Sequence, residues 1–320
     1  FSNFVITMRR ALSLFREKAS IISIPMNLGQ PSLGLDMAPK KIIDGGLKDL
    51  LGGIGWGMIQ VPPLVLGSHE AAPGEVPTGF KAKNCAQVGL GCKAIRDHVA
   101  EHCHDNNFPL ILGGDHCISI GTISAIKTAR KDTAVVWVDA HGDINNPARS
   151  ISGNMHGMPV AFLMGLVEGA NKLPGFEWFK PTMSPKDIVY IGLRDLDQDE
   201  KETIRKLGIK AYTMYDLDRL GVGKVMEETL DYFKDRKDIH LSFDIDAIDP
   251  FFAPHTGTAV TGGLTYREGN YICEALAESG KLASMELVEV DPSQHSGVEH
   301  AQTIQCALTL IGSAMGKRLL

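Results

Sequence analysis

The sequence predicts one α/β domain, a central and mostly parallel β-sheet with helices on both faces. Three observations carry that prediction. From residue 20 onward, short β-rich runs alternate with helix-like stretches, the signature of repeated β-α-β units. The strand runs are continuously apolar, Ala134-Val135-Val136-Trp137-Val138 being the clearest, as expected when helices cover both faces of a sheet. Acidic and imidazole side chains cluster just past the ends of those runs, where an open parallel sheet keeps its ligand crevice.

In chain order, a strand at 21–25 leads to a helix at 38–51. The richest Pro/Gly stretch, 61–79, reads as a long surface loop within the domain, because a helix at 85–103 and a strand at 109–112 resume the pattern after it. A helix at 118–130, the apolar strand at 133–139, a strand at 187–192 and helices at 199–207 and 222–233 continue the alternation. The strand at 239–244, a helix at 266–279, a strand at 282–290 and a helix at 299–315 complete it. No internal repeat or low-complexity linker interrupts the chain, so residues 20–320 are read as a single domain and residues 1–19 as a peripheral segment. The first twenty residues carry Arg9, Arg10, Arg16 and Lys18 against Glu17 alone, the pattern of an exposed basic helix or of a transit-like leader.

Composition narrows the function classes. The chain has 320 residues, 44% hydrophobic and 22% charged, and no apolar run near the ~20 residues that a membrane helix needs. Its net charge of -6 lacks the clustered positive charge of a nucleic-acid surface. Neither a membrane nor a nucleic acid is therefore expected as partner. The six cysteines, at 85, 92, 103, 117, 273 and 306, form no C-x-x-C pair, which argues against a disulfide framework and a cysteine zinc site. A reducing compartment follows, cytoplasmic with mitochondrial as the alternative.

Three segments concentrate chemistry: Gly113-Gly114-Asp115-His116, Asp139-Ala140-His141-Gly142-Asp143 and Asp244-Ile245-Asp246, each just after a predicted strand. In extended backbone, residues two apart face the same side, so Asp139, His141 and Asp143 can converge, as can Asp244 and Asp246. One such pair is commonly just a turn or helix cap. Four carboxylates brought to one sheet edge, however, repel unless a cation relieves them. Oxygen-rich ligands with two imidazoles and no thiolate favour manganese or magnesium, manganese first, leaving zinc, cobalt and iron as open alternatives. With His116 included, six ligands suit two ions sharing carboxylates better than one ion that keeps open positions.

The segments GGDH (113–116), VDAHGDIN (138–145), SGNMHG (152–157), SFDIDAIDP (242–250) and GGLTYREG (262–269) resemble the ureohydrolase family, and within it the arginases, across residues 20–310. The resemblance implies a three-layer α/β/α fold and hydrolysis of L-arginine to L-ornithine and urea by a hydroxide bridging two Mn²⁺ ions. It implies His116, Asp139, Asp143 and Asp244 on one ion and Asp139, His141, Asp244 and Asp246 on the other. It makes His156 the proton shuttle, Glu289 the carboxylate that orients the guanidinium and Thr258 a neighbour of that pocket, with Asp143 also accepting a hydrogen bond from the hydroxide. Asn145, Ser150 and Ser152 would read the substrate α-carboxylate, Asn154 and Asp197 the α-ammonium side, flanked by Asp195 and Glu200. A homotrimer is implied too, with Arg267 and Glu268 placed for intersubunit ion pairs.

Other readings are weaker. Agmatinase or guanidinobutyrase would share the metal ligands but not the amino-acid reader of Asn145, Ser152, Asn154 and Asp197. A non-catalytic scaffold of the same fold would be expected to have lost ligands, and a zinc deacetylase would not carry GGLTYREG. His255 and Arg149 stand where smaller or uncharged residues are usual in the family, and Asp291 where asparagine is. Gly221-Val222-Gly223-Lys224 and Gly89-Leu90-Gly91 lack the spacing or context of nucleotide loops. His102-Cys103-His104 reads as surface, and His69, His98, His240, His295 and His300 as histidines with no constellation around them.

Overall fold

The computed structural model describes residues 18–65, 76–104, 106–293 and 298–319. Eight strands form one all-parallel sheet: β1 (Lys18–Ile24), β2 (Gly57–Gln60), β3 (Asn107–Gly113), β4 (Thr133–Val138), β5 (Ile188–Leu193), β6 (Lys210–Thr213), β7 (Asp238–Asp244) and β8 (Leu282–Val288). Their spatial order is β2-β1-β3-β8-β7-β4-β5-β6. The helices are α1 (Ala38–Ile42), α2 (Lys48–Gly53), α3 (Cys85–Ala100), α4 (Ser119–Ala129), α5 (Pro159–Leu163), α6 (Gln198–Leu207), α7 (Met214–Leu220), α8 (Val222–Tyr232), α9 (Tyr266–Glu278) and α10 (Val298–Ala314).

Successive residues of a strand point to opposite faces, and the sheet uses this to build two cores. Ala134, Val136 and Val138 of β4 join Leu110 and Leu112 of β3 in a core roofed by α1, α2 and α7 to α10. Val135 and Trp137 join Ile111, Ile22 and Ile24 in the other core, roofed by α3 to α6. The six inner strands are buried on both sides, which is why β4 reads as an unbroken apolar run. The result is the expected three-layer α/β/α fold. No helix among the described residues is long and apolar enough to cross a membrane.

All six predicted strands form, and the differences have local causes. β2 and β6 are additional: each spans four residues at a sheet edge, and all four of β2 are exposed, so neither shows an apolar run. The last strand stops at Val288 rather than 290, because Glu289 turns into the left-handed region at φ 64. The helix expected at 38–51 is broken by a π-turn over Ile43–Leu47, where Gly46 adopts φ 111. Lys18 and Ala19, assigned to the peripheral segment, are the first rungs of β1, with Ala19 fully buried. Residues 1–17 and most of the expected loop, 66–75, lie outside the described residues, as do His69 and His295 and the side chain of His300.

Close packing depends on particular glycines. A Cβ added at Gly89, in α3, would sit 2.6 Å from the carbonyl carbon of Gly175, whereas one added at Gly52 in α2 meets nothing nearer than Met58 Cε at 3.9 Å. Gly89→Ala should therefore lose ~1–3 kcal/mol through overpacking, while Gly52→Ala should be neutral or gain up to ~1 kcal/mol from helix propensity. Urea midpoints of the two variants check this, and a Gly89→Ala midpoint at or above wild type would contradict the packing.

Candidate active site

The four central strands β3, β8, β7 and β4, adjacent in that order, each deliver functional residues from their carboxyl ends. After β3, Asp115 caps a 3-10 turn over His116–Ile118 by accepting from Cys117 N at 3.0 Å, and this aims the His116 ring inward. That ring lies flat on Trp137 of β4, with centroids 4.1 Å apart and planes 11° apart. Its Nδ1 faces three carboxylate oxygens, Asp139 Oδ2 at 3.1 Å, Asp143 Oδ2 at 3.0 Å and Asp244 Oδ2 at 3.1 Å. A second group adjoins the first. His141 Nδ1 lies 3.4 Å from Asp139 Oδ1 and 3.0 Å from Asp246 Oδ2.

These aspartates cap the turns after the strands and also face the imidazoles. Asp139 Oδ1 accepts from His141 N at 2.7 Å, Asp244 Oδ1 from Asp246 N at 2.8 Å and Asp246 Oδ1 from Ala140 N at 3.2 Å. Each spends one oxygen on the backbone, and each turns the other toward an imidazole. Convergence does not come from strand pleating, however. β4 ends at Val138, and Asp143 reaches His116 only because its backbone is left-handed, with φ 48. The following loop is pinned there by Tyr190 Oη donating to Gly142 O at 2.6 Å and Ile144 N donating to Glu200 Oε1 at 3.1 Å.

Electrostatics identify what the cluster accepts. Burial and the neighbouring Asp139 push Asp143 up to about 6, and burial with Asp246 and Asp139 pushes Asp244 well above the usual carboxylate range. Burial opposes the charged form of His116, yet the three facing aspartates hold its pKa well above the usual imidazole value. Burial likewise opposes ionisation of Asp139, but the two imidazoles hold it low. His116 Nδ1 is buried and, among the described residues, makes no hydrogen bond. An orphaned imidazole nitrogen facing three carboxylate oxygens is a donor set for a cation, and within this cluster His116, Asp139 and Asp244, and likewise Asp139, His141 and Asp246, are placed to hold an ion. Asp139 belongs to both.

Behind His116 runs a buried network. His116 Nε2 lies 2.8 Å from Ser242 Oγ, which donates to Glu286 Oε1 at 2.7 Å. Ser119 Oγ donates to the same carboxylate at 2.6 Å, Thr122 Oγ1 donates at 2.5 Å, and His240 Nε2 stands 3.4 Å away. Burial opposes the charge of Glu286, but His240 and His116 hold it down to about 2. This corrects the reading of His240 as isolated. The signal was present, since His240, Ser242 and Asp244 alternate with apolar residues on β7, as Ser284 and Glu286 do on β8.

Beside the cluster opens a cleft of about 190 Å³, lined by His141, Asp143, Asn145, Ser150, Ser152, Asn154, His156, Gly157, Asp195, Asp197, Glu200 and Thr258. Every residue expected on the substrate side is among them. Asp197 and Glu200 close a capping box at the start of α6, and Asp197 Oδ2 accepts from Asn145 Nδ2 at 3.1 Å. Burial and the charge of Asp143 push Glu200 up to about 7. Thr258 Oγ1 donates to Asp246 Oδ2 at 3.1 Å, and Asp195 lies 3.9 Å from His141 Nε2. His156 Nδ1 lies 3.4 Å from Glu289 Oε1, and against its burial this carboxylate raises the imidazole to about 9. Glu289 is buried beneath the cleft, accepting from His116 N at 2.7 Å and from Gln30 Nε2.

A profile of the arginase family matches residues 17–316. The chain belongs to the arginase family. Among its relatives, the arginase of Neurospora crassa is 43% identical over 310 residues, covering 94% of this chain and 86% of that protein. A solved arginase of Bacillus caldovelox superposes with a TM-score of 0.86 at 38% identity, over 95% of this chain and all 100% of that one. The arginase of Entamoeba histolytica, solved in complex with L-ornithine, gives a TM-score of 0.83 at 32% identity, over 94% and 98% of the two chains.

Two departures from the usual pattern of the family fall away from the cleft lining. Arg149 is exposed and pairs with Asp199 at 3.1 Å, and His255 is buried, its N–H donating to Thr303 Oγ1 at 3.1 Å. Gln30 and Arg194 were missed. Arg194 donates to Asp246 O at 2.6 Å and Val260 O at 2.7 Å, bracing the loop after β7, and neither residue has a motif around it. Ser242→Ala and Glu286→Gln should each lower divalent-metal affinity by ~10–100-fold, the cost of losing a partner that orients a ligating imidazole. Isothermal titration with manganese measures this, and wild-type affinity in both variants would reduce the network to packing.

Proposed function

We propose that this member of the arginase family hydrolyses L-arginine to L-ornithine and urea in the cleft, with two Mn²⁺ ions held by the buried cluster. His116, Asp139, Asp143 and Asp244 would hold one ion, and Asp139, His141, Asp244 and Asp246 the other. Support for the shared position comes from Asp139, which faces both imidazoles. When bound, such a pair of ions lowers the pKa of water and makes hydroxide available near neutral pH, which a delocalised and weakly electrophilic guanidinium requires.

The chain's own residues supply orientation and proton movement. Asp143 carries an acceptor oxygen at the floor of the cleft and would take a hydrogen bond from the nucleophile. Glu289 would pair with the planar guanidinium, an arrangement that suits a carboxylate. His156, at the cleft wall and in reach of Glu289, would carry protons between solvent and the leaving amine. Thr258 would close the guanidinium end. At the outer end Asn145, Ser150 and Ser152 would bind the α-carboxylate and Asn154 and Asp197 the α-ammonium, flanked by Asp195 and Glu200. The observation that carries this reading is the joint lining of one cleft by all of these side chains except the buried Glu289. The ornithine bound to the Entamoeba histolytica arginase, named as the product here, supports it.

We further take the chain from Lys18, where β1 begins, to 320 as one catalytic domain, with a homotrimer as the assembly and the cytoplasm, or mitochondria, as the setting. All six cysteines are buried, free thiols, in keeping with a reducing compartment. Within one chain Arg267 already pairs with Glu274 at 2.7 Å and Glu268 caps α9, so an intersubunit role would have to share those contacts.

Polar groups left without a partner make a site reject an analogue that lacks the matching group, by up to ~10⁴ in kcat/KM, and solvent at the rim should soften this to at least ~10². Arginine should accordingly be preferred over agmatine, its decarboxylated analogue, by that margin with manganese loaded. Equal rates or a preference for agmatine would overturn the amino-acid reading while leaving the dinuclear hydrolase intact. His156→Asn should cut kcat by ~10² or more with both metals retained. An unchanged kcat would remove the shuttle role, and metal loss would make His156 a ligand instead.

A further inference from the structure

A second cluster of metal-binding type lies far from the cleft. His98 lies in the last turn of α3, and Glu101 and His102 follow it by three and four residues just past the helix end, each about one turn from His98. Their ligand atoms all lie within 4.8 Å of one another. The two rings face edge to face, with centroids 5.7 Å apart. His98 Nε2 is shielded from solvent and, among the described residues, has no hydrogen-bond partner, a costly state for a polar atom.

His102 is anchored from behind. Its Nδ1 lies 3.4 Å from Ser20 Oγ of β1, and Asn107 Nδ2 of β3 donates both to Ser20 Oγ at 2.7 Å and to His102 O at 2.8 Å. A hydroxyl fixing one ring nitrogen leaves the other for a metal, the usual arrangement around a ligating histidine. Burial and the neighbouring His98 also lower the pKa of His102, which favours the neutral imidazole that a metal binds. Ser20 and Asn107 belong to the amino-terminal ends of their strands, so this cluster is at the sheet edge opposite the catalytic one.

We propose that His98, Glu101 and His102 form a separate binding site for an imidazole-preferring divalent ion of the zinc class. Two imidazoles and one carboxylate suit zinc, nickel or copper better than manganese. Three protein ligands leave a coordination position for water. Bound there, the ion ties the end of α3 to β1 through the His102–Ser20–Asn107 contacts.

The test is equilibrium dialysis of manganese-saturated protein against Zn²⁺, counting both metals per chain. The proposal predicts one zinc taken up with manganese retained. His98→Gln and His102→Gln should each weaken that uptake by at least ~10-fold, since losing a direct ligand costs no less than losing the partner that orients one. Glu101→Gln, at an exposed position, should weaken it as well, and all three should keep wild-type manganese content and arginine turnover. No zinc beyond that which displaces manganese, or equal uptake by wild type and both histidine variants, would overturn the site.

Discussion

Taking an ionised carboxylate out of water costs several kcal/mol unless something of opposite charge meets it, and this chain buries Asp139, Asp143, Asp244, Asp246 and Glu289 in one neighbourhood. The rest of the site is arranged around that constraint. Backbone N–H groups satisfy one oxygen on each of Asp139, Asp244 and Asp246, and two imidazoles take positions between the others. Against their burial, the field of the aspartates holds those imidazoles toward their cationic form, and burial together with that field resists ionisation of Asp143 and Asp244. Divalent ions would relieve both effects at once, because the imidazoles could then act as neutral ligands and the carboxylates as anions.

Holding the charges together also takes backbone strain. Asp143 and Glu289 are left-handed at φ 48 and φ 64, a conformation that costs roughly 1–3 kcal/mol in a residue with a side chain. Both are fixed by neighbours, Asp143 O accepting from Val160 N and Glu289 N donating to Gly114 O, each at 2.9 Å. The strain buys placement. It turns Asp143 off the line of β4 onto His116, and it stops β8 so that Glu289 sits between Gln30 and His156.

Much of this was legible in the sequence, and what was not has physical reasons. Strands buried on both faces announce themselves as apolar runs, and chemistry placed at their carboxyl ends falls in short recognisable segments. The convergence of His116, Asp139, His141, Asp143, Asp244 and Asp246 and the lining of the cleft could be read that way. β2 and β6 could not, since a four-residue edge strand carries no run. The order of strands was equally hidden, and with it the adjacency of β1 and β3 that brings Gln30 to Glu289. The polar residues inside β7 and β8 were overlooked although their period of two was visible. The left-handed turns at Asp143 and Glu289 had no glycine to mark them, so extended geometry was the natural but wrong expectation for residues 139–143.

Buried repulsion that bound divalent ions would relieve governs the carboxyl edge of the sheet. Differential scanning calorimetry across a range of free Mn²⁺ tests it most directly, because a ligand that binds only the folded state raises stability with its concentration. The midpoint should climb steadily with manganese in the wild type, fall back on chelation, and hardly respond in Asp139→Asn. A midpoint that is the same in chelator and in saturating manganese would contradict it.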